Sequence, residues 1–166
     1  MGLADTSVLL KIALGSTLAG ILFHLIGLAT PYWTSQTITL GSLDFSYNSG
    51  LWRGCSAGRC GSITSSPSWM EATQAFAILG FLAGLAAIVL AVLYVFLEQL
   101  RKDIIYIIAS LGNLVAAGCI FLAVVIFGSK ITTGLSWSFG LSIVGMIFHG
   151  VAGVLMGVNR FQNKPQ

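Results

Sequence analysis

The stretch GLWRGCSAGRC, residues 50–60, gathers a tryptophan, two arginines and two cysteines in a chain of 166 residues that is 56% hydrophobic and only 8% charged. Fully extended, the chain from Cys55 to Cys60 would hold their Cα atoms about 16 Å apart, whereas a disulfide needs about 4.4–6.8 Å. A bond between Cys55 and Cys60 therefore requires the segment 56–59 to turn back, and Gly58 suits such a turn. So short a loop gains little entropic stabilisation, and the bond is expected to pin strand register. The spacing is C-x4-C rather than the redox C-x-x-C, and Cys119 lies far off in an apolar run, so a structural disulfide is expected.

Upstream, the pattern is strand-like. Thr34, Gln36, Ile38 and Leu40 lie in a threonine-rich stretch, Gly41-Ser42 interrupts it, and Leu43 to Tyr47 alternates again before Asn48-Ser49-Gly50. A small antiparallel sheet is expected.

The sheet is set in a membrane protein. The mean hydropathy is +0.92, and apolar runs at about 8–30, 72–97, 104–127 and 136–158 are each long enough to span a bilayer as a helix. Strand alternation of the β-barrel kind is absent from them. The expected fold is an all-α membrane protein, an antiparallel four-transmembrane-helix bundle carrying a small disulfide-pinned extracellular sheet. The sheet comes from the first loop, about 31–71, and the whole of 1–166 is expected to be one domain. Lys11, Arg101, Lys102, Arg160 and Lys164 fall on one side and Arg53, Arg59 and Lys130 on the other, which places both termini in the cytoplasm. The loop cysteines then face an oxidising compartment, and the net charge of +3 reflects orientation rather than nucleic-acid binding. Residues 12–29 are too long for a secretory core and run into Pro31, so they read as an anchor rather than a cleaved signal. MGLADT fits a myristoylation pattern, but a spanning helix follows at once and makes a lipid anchor redundant.

Ser68 and Glu71 have capping-box spacing before the second helix. Gly80 with Gly84 and Gly153 with Gly157 form GxxxG pairs, and Gly145 and His149 continue the second series; packing within one bundle is preferred over an oligomer face. His24 and His149 raise the question of a bis-histidine haem. At 1.5 Å per residue they differ in depth by about 10 Å, which argues against one, and neither cofactor nor metal is expected. Asn113 matches His149 in depth, and a hydrogen bond between them is expected.

Alone, Trp33 reads as an interfacial anchor. Together, Trp33, Gly50, Leu51, Trp52, Cys55 and Cys60 resemble the signature of the claudin superfamily: claudins, peripheral myelin and epithelial membrane proteins, and stargazin-like gamma subunits. The resemblance implies four helices and an extracellular sheet whose disulfide joins neighbouring strands. Departures point to a divergent, short-tailed member. The cysteines are close together, Gln74 stands where claudins commonly have arginine, the NRFQNKPQ end lacks a Tyr-Val terminus, and there is no N-x-[ST] sequon.

The expected function is non-enzymatic: cell–cell contact, paracellular barrier or lateral organisation at the plasma membrane, with cell junctions as one implied location. Partners are the bilayer and either a second copy or another membrane protein, such as a channel or receptor. Ile38, Leu40, Leu43 and Phe45 supply apolar surface, some of it for the sheet's own core, while Asp44, Arg53, Arg59 and Lys130 could bias ion passage. The alternative is an auxiliary channel subunit, favoured by the likeness of Gly50 to Cys55 to the stargazin branch. Small four-helix glutathione transferases and thiol oxidases match in size only, since no carboxylate–base pair or C-x-x-C occurs.

Overall fold

The computed structural model describes residues 6–39, 44–97, 99 and 103–162, and the backbone of 40 and 43. Its elements in chain order are α1 (Val8–Ala29), β1 (Thr34–Leu40), β2 (Leu43–Ser49), β3 (Arg53–Ser56), β4 (Arg59–Ser62), α2 (Ser68–Phe96), α3 (Asp103–Lys130) and α4 (Trp137–Gln162). All four helices are long and apolar enough to span a membrane. Their large apolar side chains point outward, as at Leu22, Leu82, Val115 and Val154, while the buried positions are filled by Ala13, Ala77, Ala87, Ala109, Ala116 and Ala152. That inversion is what a lipid solvent selects: small residues let backbones approach, and bulky ones meet acyl chains. α1 packs chiefly on α4 and α2 on α3, with α3 against α4 next and only a slight α1–α2 seam.

α2 at its start, α3 at both ends and α4 at its end outrun the apolar runs that mark them in the sequence, because a helix continues into the interface after hydropathy falls. α2 begins at Ser68, and the capping box expected there does not form: Pro67 is the N-cap, without a side-chain cap bond. The Pro67 carbonyl accepts from Met70 and Glu71 N–H, so Ser68 is already the first helical residue. α1, by contrast, is capped by the Ser7 hydroxyl, which accepts from Leu10 N–H at 3.2 Å.

The strands form an antiparallel meander in the order β1-β2-β3-β4. Cys55 pairs directly with Cys60 across β3 and β4, and the two are bonded, with Cα atoms 4.0 Å apart. The two-residue turn between them puts both Ala57 (φ 48°) and Gly58 (φ 78°) in the left-handed region, the backbone a type I′ hairpin demands. Beyond β1, the α3–α4 loop adds a bridge from Leu135 to Thr34, with Ser35 N–H donating to Gly134 O at 2.8 Å. The sheet therefore sits across the ends of all four helices, on the side opposite the termini.

At the terminal side, α1, α3 and α4 are clasped together. The Ser7 hydroxyl donates to Asn159 Oδ1, Asn159 Nδ2 donates to Tyr106 OH at 2.9 Å, and Tyr106 OH donates to Met156 O at 3.0 Å. Arg160 meets Asp103 at 3.3 Å on the surface. Arg101, Lys102 and Lys164, which carry much of the expected charge bias, lie outside the described residues, as does most of MGLADT.

Candidate functional site

The sheet is fastened to the bundle by the residues around Gly50. Trp33 is wholly buried and is therefore a core residue, not the interfacial anchor it resembles in isolation. Its indole N–H donates to Gly27 O at 2.8 Å, and its ring meets Phe127 and Phe139 edge-on at 4.8 and 5.6 Å. Leu51 is equally buried and joins the same cluster with Leu28, Met70, Ala77 and Ala123. Trp52, half-exposed, donates to Leu28 O at 3.0 Å, laying its ring beside the last turn of α1. Gln74 Nε2 donates to Leu51 O at 2.6 Å, which ties the loop to α2. Gly50 fits against the α1–β1 link so closely that a Cβ would stand 2.6 Å from Thr30 O.

Above this plug the sheet is a single layer. Side chains alternate between faces, and the β1–β2 register puts Ile38 opposite Phe45 and Gln36 opposite Tyr47 on one of them. Ile38, Phe45 and Tyr47 are 54%, 44% and 45% exposed. Each keeps about half of its surface open, and the Tyr47 hydroxyl leans toward Gly54 of β3. Leu40 and Leu43 are a cross-strand pair in backbone register, but their side chains lie outside the described residues. Arg59 follows Ser56 and Tyr47 onto this same face, whereas Arg53 shares the opposite face with Cys55 and Asp44. Thr39 Oγ1 donates to Asp44 Oδ1 at 2.7 Å, and Lys130 is exposed at the end of α3. The four charges proposed from sequence therefore do not form one surface.

Within the bundle, Gly80 lies on Ile120 and the Ala116 carbonyl of α3, and Gly153 on Leu114 and the Ser110 carbonyl of α3; among the described residues nothing lies within 4 Å of a Cβ at Gly157. Gly84 and Gly20 leave room for His149: a Cβ on either would stand 2.9 or 3.0 Å from its Nε2. His149 Nδ1 and Asn113 Oδ1 are 3.0 Å apart, and Thr17 Oγ1 reaches the same oxygen at 3.1 Å. Asn113 Nδ2 donates to Ala109 O, which leaves Oδ1 as the acceptor and makes His149 Nδ1 the donor. Replacing Asn113 and His149 by leucine, singly and together, should reveal a coupling of about 1 kcal/mol in a double-mutant cycle on equilibrium unfolding. Additive losses would mean that the contact contributes nothing.

One feature missed in the sequence is legible there. The pentapeptide G-x-x-F-H occurs twice, as GILFH at 20–24 and GMIFH at 145–149. Antiparallel packing of α1 on α4 lays the two copies across each other. Gly20 lies under His149, Gly145 lies under His24 with a Cβ position 2.9 Å from His24 N, and Phe23 stacks on Phe148 at 5.6 Å. His24 then turns to α2, where its Nε2 donates to Ala77 O at 2.9 Å. Because Gly20, not His24, stands level with the tip of His149, the histidines are separated along α1 by one turn, about 6 Å, less than helix-end arithmetic gives.

Among the described residues no group of three or more His, Cys, Asp or Glu side chains is placed to hold a metal. The model of the PMP-22/EMP/MP20/Claudin family matches residues 6–156. No curated protein sequence matches the chain.

Proposed function

Since the chain belongs to the PMP-22/EMP/MP20/Claudin family, we propose that it is a non-enzymatic plasma-membrane protein that organises contacts through its sheet, between cells or within one membrane. The sheet faces the outside and both termini the cytoplasm, an orientation supported by the Cys55–Cys60 bond and the oxidising setting such a bond requires. The observation that carries the reading is the half-exposed apolar row of Ile38, Phe45 and Tyr47 on a sheet whose base is held by buried Trp33 and Leu51. An exposed apolar patch of this kind on a rigid platform is the form of a recognition surface. Arg53 and Arg59 face opposite ways, so only one of them can line any given gap between copies and bias ions there.

The test is a mixed-cell assay. Tagged protein expressed in non-adhesive cells should concentrate at contacts between two expressing cells, not at contacts with a non-expressing neighbour. The double variant Ile38→Ser, Phe45→Ser, whose exposed positions leave the plug intact, should reach the surface and lose that enrichment. Uniform distribution of the unmodified protein would overturn contact between cells and transfer the apolar row to a lateral partner. The auxiliary-subunit reading then predicts a channel that co-purifies in stoichiometric amount.

A further inference from the structure

The outer edge of β1 is closed at its root and open beyond it. Ser35 N–H points away from β2 and donates to Gly134 O at 2.8 Å. Backbone groups of a strand alternate in direction with a period of two residues, so the N–H and C=O of Thr37 and Thr39 point the same way, past the last bond to the α3–α4 loop. Among the described residues no backbone group answers them. The other side of the hairpin is nearly as bare. β3 pairs only with Tyr47, Asn48 and Ser49, and the last bond on that side runs from Ala57 N–H to Ser46 O at 3.3 Å. Around Thr37–Thr39 and Asp44–Phe45 the sheet is therefore a two-stranded arm with exposed residues throughout, a form that is marginal in water by itself.

Open edges are normally blunted by charge or proline. β1, with the sequence TSQTITL, has neither. An edge of unpaired donors and acceptors is complementary to another strand, and the composition of this one suits a second copy of itself. With Ile38 on a two-fold axis, Thr37 of each copy faces Thr39 of the other, and each facing pair exchanges both of its N–H···O bonds. On one face threonine then meets threonine, a favourable cross-strand pair. On the other, the two Ile38 side chains meet in a non-hydrogen-bonded pair, with Cα atoms about 4.5 Å apart. Since Phe45 lies opposite Ile38 within each chain, the two apolar rows become one strip. No charge opposes its like across the joint, because Asp44 stands one strand away from it, opposite Thr39.

We propose that β1 pairs antiparallel with β1 of a second copy about an axis through Ile38, giving one continuous sheet in the order β2-β1-β1-β2. The pairing rests on the sheet being the contact surface proposed above, and it adds the partner and the register. So short a contact falls below the about 1,200 Å² buried in a stable complex, so it forms where the bilayer concentrates the protein rather than in dilute detergent.

The experiment is disulfide cross-linking on intact cells expressing the full chain, with Cys119→Ser to remove the free thiol and the Cys55–Cys60 bond intact. An added oxidant converts two facing thiols to a disulfide. Ile38→Cys should give a dimer on a non-reducing gel, because about 4.5 Å lies within disulfide reach. Pairing one register step away in either direction would part the two Cα atoms by roughly 8 Å, too far for the bond. Thr37→Cys and Thr39→Cys should each stay at background alone, and give a mixed dimer when expressed together with different tags. Thr37→Pro removes an N–H that the chain's own sheet does not use and should reduce the Ile38→Cys dimer to background. Should Thr37→Pro fail to reach the surface, Thr37→Lys with Thr39→Lys, which sets like charges opposite each other, should do the same. Absence of the Ile38→Cys dimer, its survival in the blocking variants, or an equal dimer from Thr37→Cys alone would overturn the pairing. Enrichment at cell contacts without the Ile38→Cys dimer would overturn the edge and leave the contact function standing. A dimer without enrichment would support the edge and confine it to copies in one membrane.

Discussion

Trp33→Ala is expected to destabilise the protein by about 3–5 kcal/mol, the range for deleting a large buried aromatic side chain. The ring is fully enclosed, and its neighbours Phe127 and Phe139 are held by α3 and α4, which cannot close over the space without shifting the helix ends. Trp33→Phe separates packing from hydrogen bonding. It keeps most of the volume but leaves Gly27 O without the indole donor, and should cost about 1–3 kcal/mol. Both are read from helix content against mole fraction of a denaturing detergent. A Trp33→Ala variant within 1 kcal/mol of the parent, to order of magnitude, would return Trp33 to the role of an interfacial anchor.

The second large effect is at Gly50. An added Cβ would stand 2.6 Å from Thr30 O and 2.7 Å from Pro31 Cα, backbone atoms that cannot swing aside as a side chain can. Gly50→Ala should therefore cost about 1–3 kcal/mol by overpacking, and because the strain falls at the root of the sheet it should also loosen the Trp52–Leu28 and Gln74–Leu51 bonds. Hydrogen exchange should quicken at the sheet and at the last turn of α1. Gly61→Ala is the control, since nothing lies within 4 Å of a Cβ there and its effect should stay within about 0.5 kcal/mol. Equal effects at the two positions would mean that Gly50 is required for something other than closeness.

The four helices, the presence of a small antiparallel sheet and the disulfide were legible because each rests on a local signal: apolar runs of spanning length, period-two alternation, and two cysteines too close in sequence to bond without a turn. The pairing of Asn113 with His149 followed from depth alone, because helices running the length of the membrane turn residue number into height. What depended on direction around a strand or helix was not legible. Arg53 and Arg59 look like one charged cluster in GLWRGCSAGRC, yet the hairpin between them sends them to opposite faces. Trp33 looked interfacial because hydropathy reports where a helix leaves the membrane but not that a loop residue folds back over its end. The Ser68–Glu71 spacing was right for a cap and wrong in place, since Pro67 starts the helix one residue too early for it. Residues 20–24 and 145–149 were individually visible, and only their reciprocal contact gives the repetition a meaning.

The pairing of the first helix with the last also sets a timetable for synthesis. α1 has the lowest mean hydropathy of the four spans, 1.9 against 2.8 for α2, because it carries Ser16, Thr17 and His24 for buried contacts. While the chain is emerging, α2 and α3 can join as a hairpin as soon as both are inserted, but α1 must wait in lipid until α4 arrives some hundred residues later, on the order of ten seconds at about 5–20 residues per second. Throughout that interval the face of α1 that receives α4, marked by Gly20 and Gly27, meets acyl chains, although His24 and Thr17 can already bond to α2 and α3. A chain cut short before α4 would keep a complete sheet, disulfide and α2–α3 hairpin and still present the unfinished face of α1 to the machinery of degradation.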